Sequence, residues 1–247
     1  MASVSQSAGE HSVDLTIDRI NEAVRRLLGS AAGLADEQVR EPSLLPGWTR
    51  GHVLTHVARN ADSLSNLLTW AQTGVPTPQY ASRDERDAAI EAGADRPAAV
   101  LLADLTDSAE RFVARARELP PDAWTVQVQG LRGAAHPAWF TLHRRLTEVE
   151  IHHVDLTAGY RPADWPAWFV QDMLYQVAGG LAGQPEAPAA LLTDADTGRQ
   201  FLLRPEVTSE LVITGPGHAL LAWLTGRGDG AELSPDPAGP LPEVPPY

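Results

Sequence analysis

The chain contains no cysteine. This absence excludes disulfide bonds, thiolate metal sites and a thiol nucleophile supplied by the protein itself. Any metal in this protein must therefore be held by histidine, aspartate or glutamate. Any thiol chemistry must take its sulfur from a separate molecule.

Basic residues and long apolar runs are also in short supply. Nineteen lysines and arginines stand against 32 aspartates and glutamates, which gives a formal net charge of -13. This balance argues against a nucleic-acid binder, because phosphate contacts need a basic face. No apolar run approaches the roughly 20 residues that span a bilayer, and residues 1–9 are polar, without a signal-peptide core. We therefore expect a cytoplasmic protein without a nucleic-acid or membrane partner.

Residues 1–160 are expected to form one domain, a four-helix bundle. Four long stretches repeat apolar residues at helical spacing, and short polar segments join them. They run from Asp14 to Leu34, from about Thr49 to Thr73, from Arg96 to the Pro120-Pro121 pair, and from about Ala138 to Thr157. Between them, 82–94 is expected to be a short helix or an ordered loop, and 124–130 alternates like a short strand. The fold class is thus mainly α with a smaller α+β part.

Residues 161–247 are expected to form the smaller α+β domain. After a proline-containing linker, the pattern predicts a helix, three short strands and a second helix. These lie at 168–181, at 189–193, 200–204 and 210–214, and at 218–225. The proline-rich end from Ser234 to Tyr247 predicts an irregular strap or a disordered tail.

Two candidate metal ligands lie at the start of the second helix. A Pro-Gly turn leads into Thr49, whose hydroxyl can cap the free N–H groups of a helix. His56 lies at the edge of the apolar face that follows, whereas His52 is turned further towards solvent. A histidine in such a position is either a packed core residue or a ligand, and helical-wheel position favours His56 over His52.

The fourth helix carries Glu148 and His152, which lie four residues apart and therefore on one face. Two such ligands and one histidine from a facing helix would make a three-ligand site with an open fourth position, as in catalytic zinc sites. Asp155, one turn beyond His152, could hold its other ring nitrogen. The alternative is a solvated face with a charge-assisted contact. His153 competes with His152, although it projects into an apolar stripe.

These motifs resemble the mycothiol-dependent maleylpyruvate isomerases, part of a wider DinB-like group of metal-dependent thiol transferases. The resemblance rests on Leu45-Pro-Gly-Trp-Thr-Arg-Gly-His-Val-Leu-Thr-His56 with Asn60-Ala61, on Trp70-Ala-Gln-Thr-Gly74 with Tyr80, on Glu148-Val-Glu-Ile-His152-His-Val-Asp-Leu156, and on Gly226-Arg227-Gly228. It runs in order over nearly the whole chain. It implies an N-terminal DinB-like four-helix bundle and a small α+β C-terminal domain.

The resemblance also implies an activity and its residues. His56, Glu148 and His152 would bind zinc, or another divalent metal, and Arg227 would act in catalysis by contacting a substrate carboxylate. The reaction would be the isomerisation of maleylpyruvate to fumarylpyruvate, with mycothiol as the thiol cosubstrate. Arg145 is a weaker candidate cation, for which solvation at the surface is the expected role. We expect a monomer that acts on a small dicarboxylate.

Three other functions remain open at this point. A mycothiol S-transferase would use the same metal and thiol but keep the thiol on its product. A non-catalytic thiol- or ligand-binding module could use the same bundle. A zinc hydrolase is less favoured, because Glu150 faces away from the three ligands and no other carboxylate is placed to act as a general base.

Overall fold

The computed structural model describes residues 2–131 and 133–246, with side chains described from residue 13 onward. The chain forms two compact units, Met1–Gly159 and Tyr160–Tyr247. The first is mainly helical and the second combines helices with a small sheet, which confirms the predicted fold class. No helix in the described ranges is both long and apolar enough to cross a membrane.

The first unit is built around a bundle of four long helices. Its described helices are α1 (Ala2–Ala31), α2 (Asp36–Val39), α3 (Arg50–Thr73), α4 (Arg83–Ala94), α5 (Ala98–Glu118) and α6 (Phe140–Asp155). Helix α3 packs on α5 and α6, and α1 packs on the same two helices. Helix α1 begins well before the predicted start at Asp14. Helix α4 lies against α3 outside the bundle.

Both ends of α3 form for the reasons that the sequence indicates. Thr49 is the N-cap, with an extended backbone, and its Oγ1 accepts a hydrogen bond from the backbone N–H of His52 at 3.3 Å. Gly74 ends the helix in the left-handed conformation, at φ 72°. The apolar stripe between these ends is excluded from solvent and includes Val53, Val57, Leu64, Leu67 and Leu68.

Two residues after Thr49 connect the start of α3 to its neighbours. The Nε atom of Arg50 donates to the backbone carbonyl of Leu156, just past the end of α6, at 3.0 Å. At Gly51 a side chain is excluded, because a Cβ atom there would clash with the carbonyl oxygen of Ala94 at the end of α4. The beginning of α3 is therefore held against both α4 and α6.

The segments between the long helices differ in part from their predictions. The helical alternative for 82–94 is confirmed: Ser82 caps α4 by accepting the N–H of Glu85 at 3.1 Å. The strand predicted for 124–130 is largely wrong. Pro121–Thr125 is a 3-10 helix, favoured by a proline in its first turn. Only β1 (Gln127–Val128) is extended, and it pairs with β2 (His136–Pro137).

The second unit is a small α+β domain. It contains α7 (Ala167–Leu181), β3 (Ala190–Asp194), β4 (Gln200–Leu203), β5 (Val212–Gly215), α8 (Gly217–Leu224) and β6 (Ser234–Asp236). The strand order is β4-β3-β5-β6, with β3 and β5 parallel and the two outer pairs antiparallel. Helix α7 packs on α8 and β4.

The predicted irregular tail is wrong at its beginning. Ser234–Asp236 forms the edge strand β6, in which Pro235 lies opposite Ile213. Proline lacks a backbone N–H, but an edge strand tolerates it because one side of that strand has no neighbour. From residue 237 to residue 246 the tail has no regular secondary structure.

Candidate metal centre

Three predicted ligands, His56, Glu148 and His152, meet in the first unit. The Nε2 atom of His56 lies 3.0 Å from Oε2 of Glu148 and 3.0 Å from Nε2 of His152. The Nε2 atom of His152 lies 3.3 Å from the same Glu148 oxygen. All three ligand atoms are within 4.8 Å of one another. His56 thus lies in one cluster with Glu148 and His152, which follow it by 92 and 96 positions in the sequence.

The positions of the three side chains follow from helix geometry. His56 lies in the second turn of α3 and is only 4% exposed. Glu148 and His152 are one turn apart on α6, which packs on α3. The indole of Trp48, just before α3, contacts the His56 ring edge-on, at 5.5 Å between centroids. The histidine is therefore held between an aromatic wall and the two side chains of α6.

The cluster fits a divalent metal ion. Two imidazole nitrogens and a carboxylate oxygen are a donor set that zinc accepts, with bonds of about 2.0–2.2 Å. Ligand atoms around such a tetrahedral ion lie about 3.3 Å apart, close to the 3.0–3.3 Å seen between these atoms. Three lone-pair atoms that face one another need a cation or protons between them, and a divalent ion would satisfy all three.

The electrostatics of the cluster favour the metal-binding forms of Glu148 and His56, whereas they favour the protonated form of His152. Burial acts to raise the pKa of Glu148, but hydrogen bonds with both histidines outweigh it and hold this pKa well below its usual range. Burial and the neighbouring charge of His152 lower the pKa of His56. Burial also acts to lower the pKa of His152, whereas hydrogen bonds with Asp155 and Glu148 raise it overall. A bound cation would compete with a proton for the Nε2 atom of His152.

The predicted contact between His152 and Asp155 is confirmed. The Nδ1 atom of His152 lies 2.8 Å from Oδ2 of Asp155, a residue with no solvent exposure. An ionised carboxylate only accepts hydrogen bonds, so Nδ1 carries the proton and Nε2 presents its lone pair to the cluster.

The two competing histidines lie elsewhere. His52 faces away from the cluster, with Nδ1 2.8 Å from the Thr49 hydroxyl and Nε2 3.1 Å from Glu91. His153 is buried, with Nε2 2.7 Å from the hydroxyl of Ser30 on α1. Both therefore have structural contacts that explain their presence without a metal.

The expectation for Arg145 is wrong. Its side chain is completely buried, and its Nη1 atom donates to the carbonyl of Val57 at 2.8 Å and to Oδ1 of Asn60 at 2.9 Å. Burial lowers the pKa of Arg145 to about 10. The guanidinium also lies over the ring of Phe112, 5.9 Å from its centroid. Arg145 therefore joins α6 to α3 inside the bundle and does not reach solvent.

Arg227 lies in the second unit, just after α8. Its Nη1 atom donates to the backbone carbonyl of Thr225 at 2.6 Å. Within this unit it borders a cavity of about 270 Å³, together with Trp223 and residues 242–246 of the tail. Contact between Arg227 and a substrate stays a prediction.

Two polar residues near the cluster, Arg86 and Arg144, were missed by the sequence analysis, and a third, Tyr80, was named there only as part of the family motif. The Nη2 atom of Arg86 on α4 lies 3.4 Å from Nδ1 of His56. Arg144 lies one turn before Glu148 on α6, and the charge of Glu148 acts on it and on Tyr80. Helical spacing alone could have identified Arg144. No sequence signal indicated Arg86, because only the packing of α4 brings it near His56.

Comparisons with known proteins agree with this architecture. The family model of the mycothiol maleylpyruvate isomerase N-terminal domain matches residues 20–157, and that of the MDMPI C-terminal domain matches residues 164–246. A crystal structure of the mycothiol-dependent maleylpyruvate isomerase matches with a TM-score of 0.89 and 28% identity, over 95% of this chain and 97% of that chain. A crystal structure of a histidine-to-alanine mutant of the mycothiol-dependent maleylpyruvate isomerase matches with the same TM-score, identity and coverages. Curated protein sequences give no significant match. Since the first domain model alone covers more than half of the sequence, this chain belongs to the mycothiol maleylpyruvate isomerase family.

Proposed function

We propose that this protein isomerises maleylpyruvate to fumarylpyruvate, with mycothiol as thiol cosubstrate and zinc held by His56, Glu148 and His152. The observation that carries the proposal is the convergence of these three side chains within 4.8 Å. Membership of the family, and the solved isomerase that resembles the chain over nearly its whole length, support the same reaction.

The donor set explains why a thiol could be used. A zinc ion held by one carboxylate and two imidazoles would leave one coordination position open, where a thiol loses its proton readily. The chain has no cysteine, so the thiol must be a separate molecule. The residues themselves supply the lone pairs: Asp155 keeps the Nδ1 proton of His152 in place, and Trp48 limits the rotation of the His56 ring.

The reaction needs a temporary single bond, because rotation about an intact alkene is too slow. The sulfur of a thiolate forms a bond to one alkene carbon, and the electron pair of the double bond moves into the adjacent carbonyl to give an enolate. The former alkene is now a carbon–carbon single bond, and rotation about this bond follows. The enolate then re-forms the alkene in the trans geometry and expels the same thiolate, so the thiol is not consumed.

The enolate and the substrate carboxylates need cationic partners. We propose Arg227 as one of them, as the family resemblance implies. Arg227→Ala should then retain zinc and lose isomerisation, and it should keep its folded circular-dichroism spectrum. Loss of zinc in this variant would contradict the role, because Arg227 is proposed to contact the substrate and not the metal.

The deciding experiment supplies maleylpyruvate to purified, zinc-analysed protein with mycothiol, with glutathione or with no thiol. Loss of the maleylpyruvate absorbance and formation of fumarylpyruvate should require mycothiol, and the thiol should be recovered unchanged. A stable thioether seen by mass spectrometry would favour an S-transferase instead. No turnover of any electrophile would favour a binding module. The expected monomer can be checked on the same sample by light scattering.

A further inference from the structure

Arg144 extends the line of functional side chains on α6. Arg144, Glu148 and His152 follow one another at intervals of four residues, so they share one face of the helix. Burial lowers the pKa of Arg144 overall, whereas the charge of Glu148 acts on the guanidinium in the opposite sense and favours its charged form. A cation is thus placed one helical turn from the candidate metal ligands.

This cation has only weak, neutral contacts. Its Nη1 atom lies 3.4 Å from Nε2 of His136, and its Nη2 atom lies 3.4 Å from Oε1 of Gln79. Within the described part of the chain, no carboxylate forms an ion pair with it. Arg26, by contrast, donates to Glu150 at 2.6 Å. A half-buried guanidinium without a carboxylate partner is costly, and an incoming anion would compensate its charge.

The backbone at Gly130 leaves space for the guanidinium. A Cβ atom at Gly130 would clash with Nη1 of Arg144 and with Oε1 of Gln79, so the glycine makes room for both groups. Gln79 is fixed in turn, because its Oε1 atom accepts the backbone N–H of Leu131 at 2.9 Å. Gln79 therefore offers the guanidinium a fixed neighbour, which limits the conformations that Arg144 would lose when a ligand binds.

A second unused donor lies near this cation. The hydroxyl of Tyr80 is buried and has no partner of good hydrogen-bond geometry among the residues that the structure describes, although Ser63 lies close enough to act on its pKa. Burial raises the pKa of Tyr80, so the hydroxyl keeps its proton and can donate. A buried polar group without a partner is uncommon and needs an explanation.

We propose that Arg144 and Tyr80 form a carboxylate-binding subsite that takes one end of the dicarboxylate substrate. This inference rests on the proposed function, in which Arg227 is the other residue proposed to contact the substrate. The guanidinium can donate two parallel hydrogen bonds to a carboxylate, and the phenol can donate a third. The subsite answers a specific problem, because a substrate anion beside Glu148 would otherwise be repelled by that carboxylate.

The first test uses succinate, a saturated dicarboxylate that cannot add a thiol, and isothermal titration calorimetry. Arg144→Gln should weaken succinate binding by at least about tenfold and Tyr80→Phe by about threefold or more, as expected for charge-assisted hydrogen bonds. Arg144→Lys keeps the charge but not the paired donors and should fall between wild type and Arg144→Gln. The matched control is Arg117→Gln, on an arginine that is 59% exposed, which should stay within about twofold of wild type.

The second test separates this inference from the proposed function. Zinc content should be unchanged in all four variants, and the KM for maleylpyruvate should rise in Arg144→Gln and Tyr80→Phe. Wild-type turnover with an unchanged KM and unchanged succinate affinity in both variants would overturn the subsite and leave the isomerase intact. Succinate binding that depends on Arg144, in a protein that does not isomerise maleylpyruvate, would support the subsite and overturn the function.

Discussion

The buried carboxylate of Asp155, 2.8 Å from Nδ1 of His152, determines which ring nitrogen of that histidine faces His56 and Glu148. The two residues are three apart on α6, so the helix itself sets their geometry. The carboxylate thereby makes a neutral His152 present its Nε2 lone pair before any ion arrives.

Replacement of Asp155 by asparagine should weaken zinc binding by about 10- to 100-fold, as is usual when the partner of a ligand histidine is lost. The asparagine amide can donate to Nδ1 and so favour the wrong tautomer. Competition with a chromophoric chelator measures the zinc dissociation constant. Asp18→Asn, on an aspartate whose side chain is 72% exposed, is the control. Equal affinity in the two variants would refute this role for Asp155.

His56→Ala and His52→Ala should separate a ligand from a structural histidine on the same helix. His56→Ala should lose zinc and activity together, because it removes one of three donors. His52→Ala should keep both and lose only some stability, since its contacts are with Thr49 and Glu91. Atomic emission gives the zinc content of each purified variant. Zinc content unchanged in His56→Ala would contradict the ligand assignment.

Arg145→Ala should destabilise the first unit by about 2–4 kcal/mol. It leaves a cavity beside Phe112 and removes the donor from Oδ1 of Asn60. Arg145→Met should cost less, because it retains most of the side-chain volume. Denaturant unfolding followed by circular dichroism measures the change. Arg117→Ala should stay within about 0.5 kcal/mol of wild type, and a similarly small effect of Arg145→Ala would show that the buried guanidinium is not stabilising.

Asp194 should make the second unit sensitive to acid. Its buried carboxylate accepts hydrogen bonds from Gln171, Thr197 and the backbone of Asp196, at 2.5 to 2.9 Å. Burial acts to raise the pKa of Asp194, but these hydrogen bonds lower it overall. A lowered folded pKa stabilises the protein above the unfolded value of about 3.9, and this contribution is lost as the pH falls through the folded pKa.

The measurement for Asp194 compares Tm values across pH. The Tm of Asp194→Asn should be lower than that of wild type at pH 7, and this gap between the two Tm values should narrow as the pH falls below about 4. Asp172→Asn, on an exposed aspartate of α7, should show no such gap. A gap that stays constant from pH 7 to pH 3 would mean that Asp194 acts through packing and not through its charge.

Much of the candidate site could be predicted because local rules govern it. The cap at Thr49 and the glycine at Gly74 fixed the ends of α3. The four-residue interval placed Glu148 and His152 on one face. Spacing alone left His52 and His153 open as competitors. The family resemblance pointed to His56 and His152, and the structure adds the reason: His153 contacts Ser30 and His52 contacts Glu91, residues from distant parts of the chain.

Arg145 shows where residue type was a poor guide. On α6 it lies three residues after Leu142 and four before Val149, both buried, so periodicity alone predicts a buried position. Its charge instead led to the expectation of a solvent-exposed side chain. The partners that make its burial tolerable, the Val57 carbonyl and Asn60, belong to α3 and cannot be paired with it from sequence. The edge strand at Ser234–Asp236 was missed for a related reason, because proline argued against a strand.

The contacts of Arg50 and Gly51 bear on how widely this motif should recur. Arg50 joins the start of α3 to the end of α6, and Gly51 admits the end of α4. Within the signature from Leu45 to His56, Arg50 therefore helps to hold α3 against α6, the two helices that carry the candidate metal ligands. We expect proteins that share this signature to keep the same spacing between these two helices, whatever substrate they take.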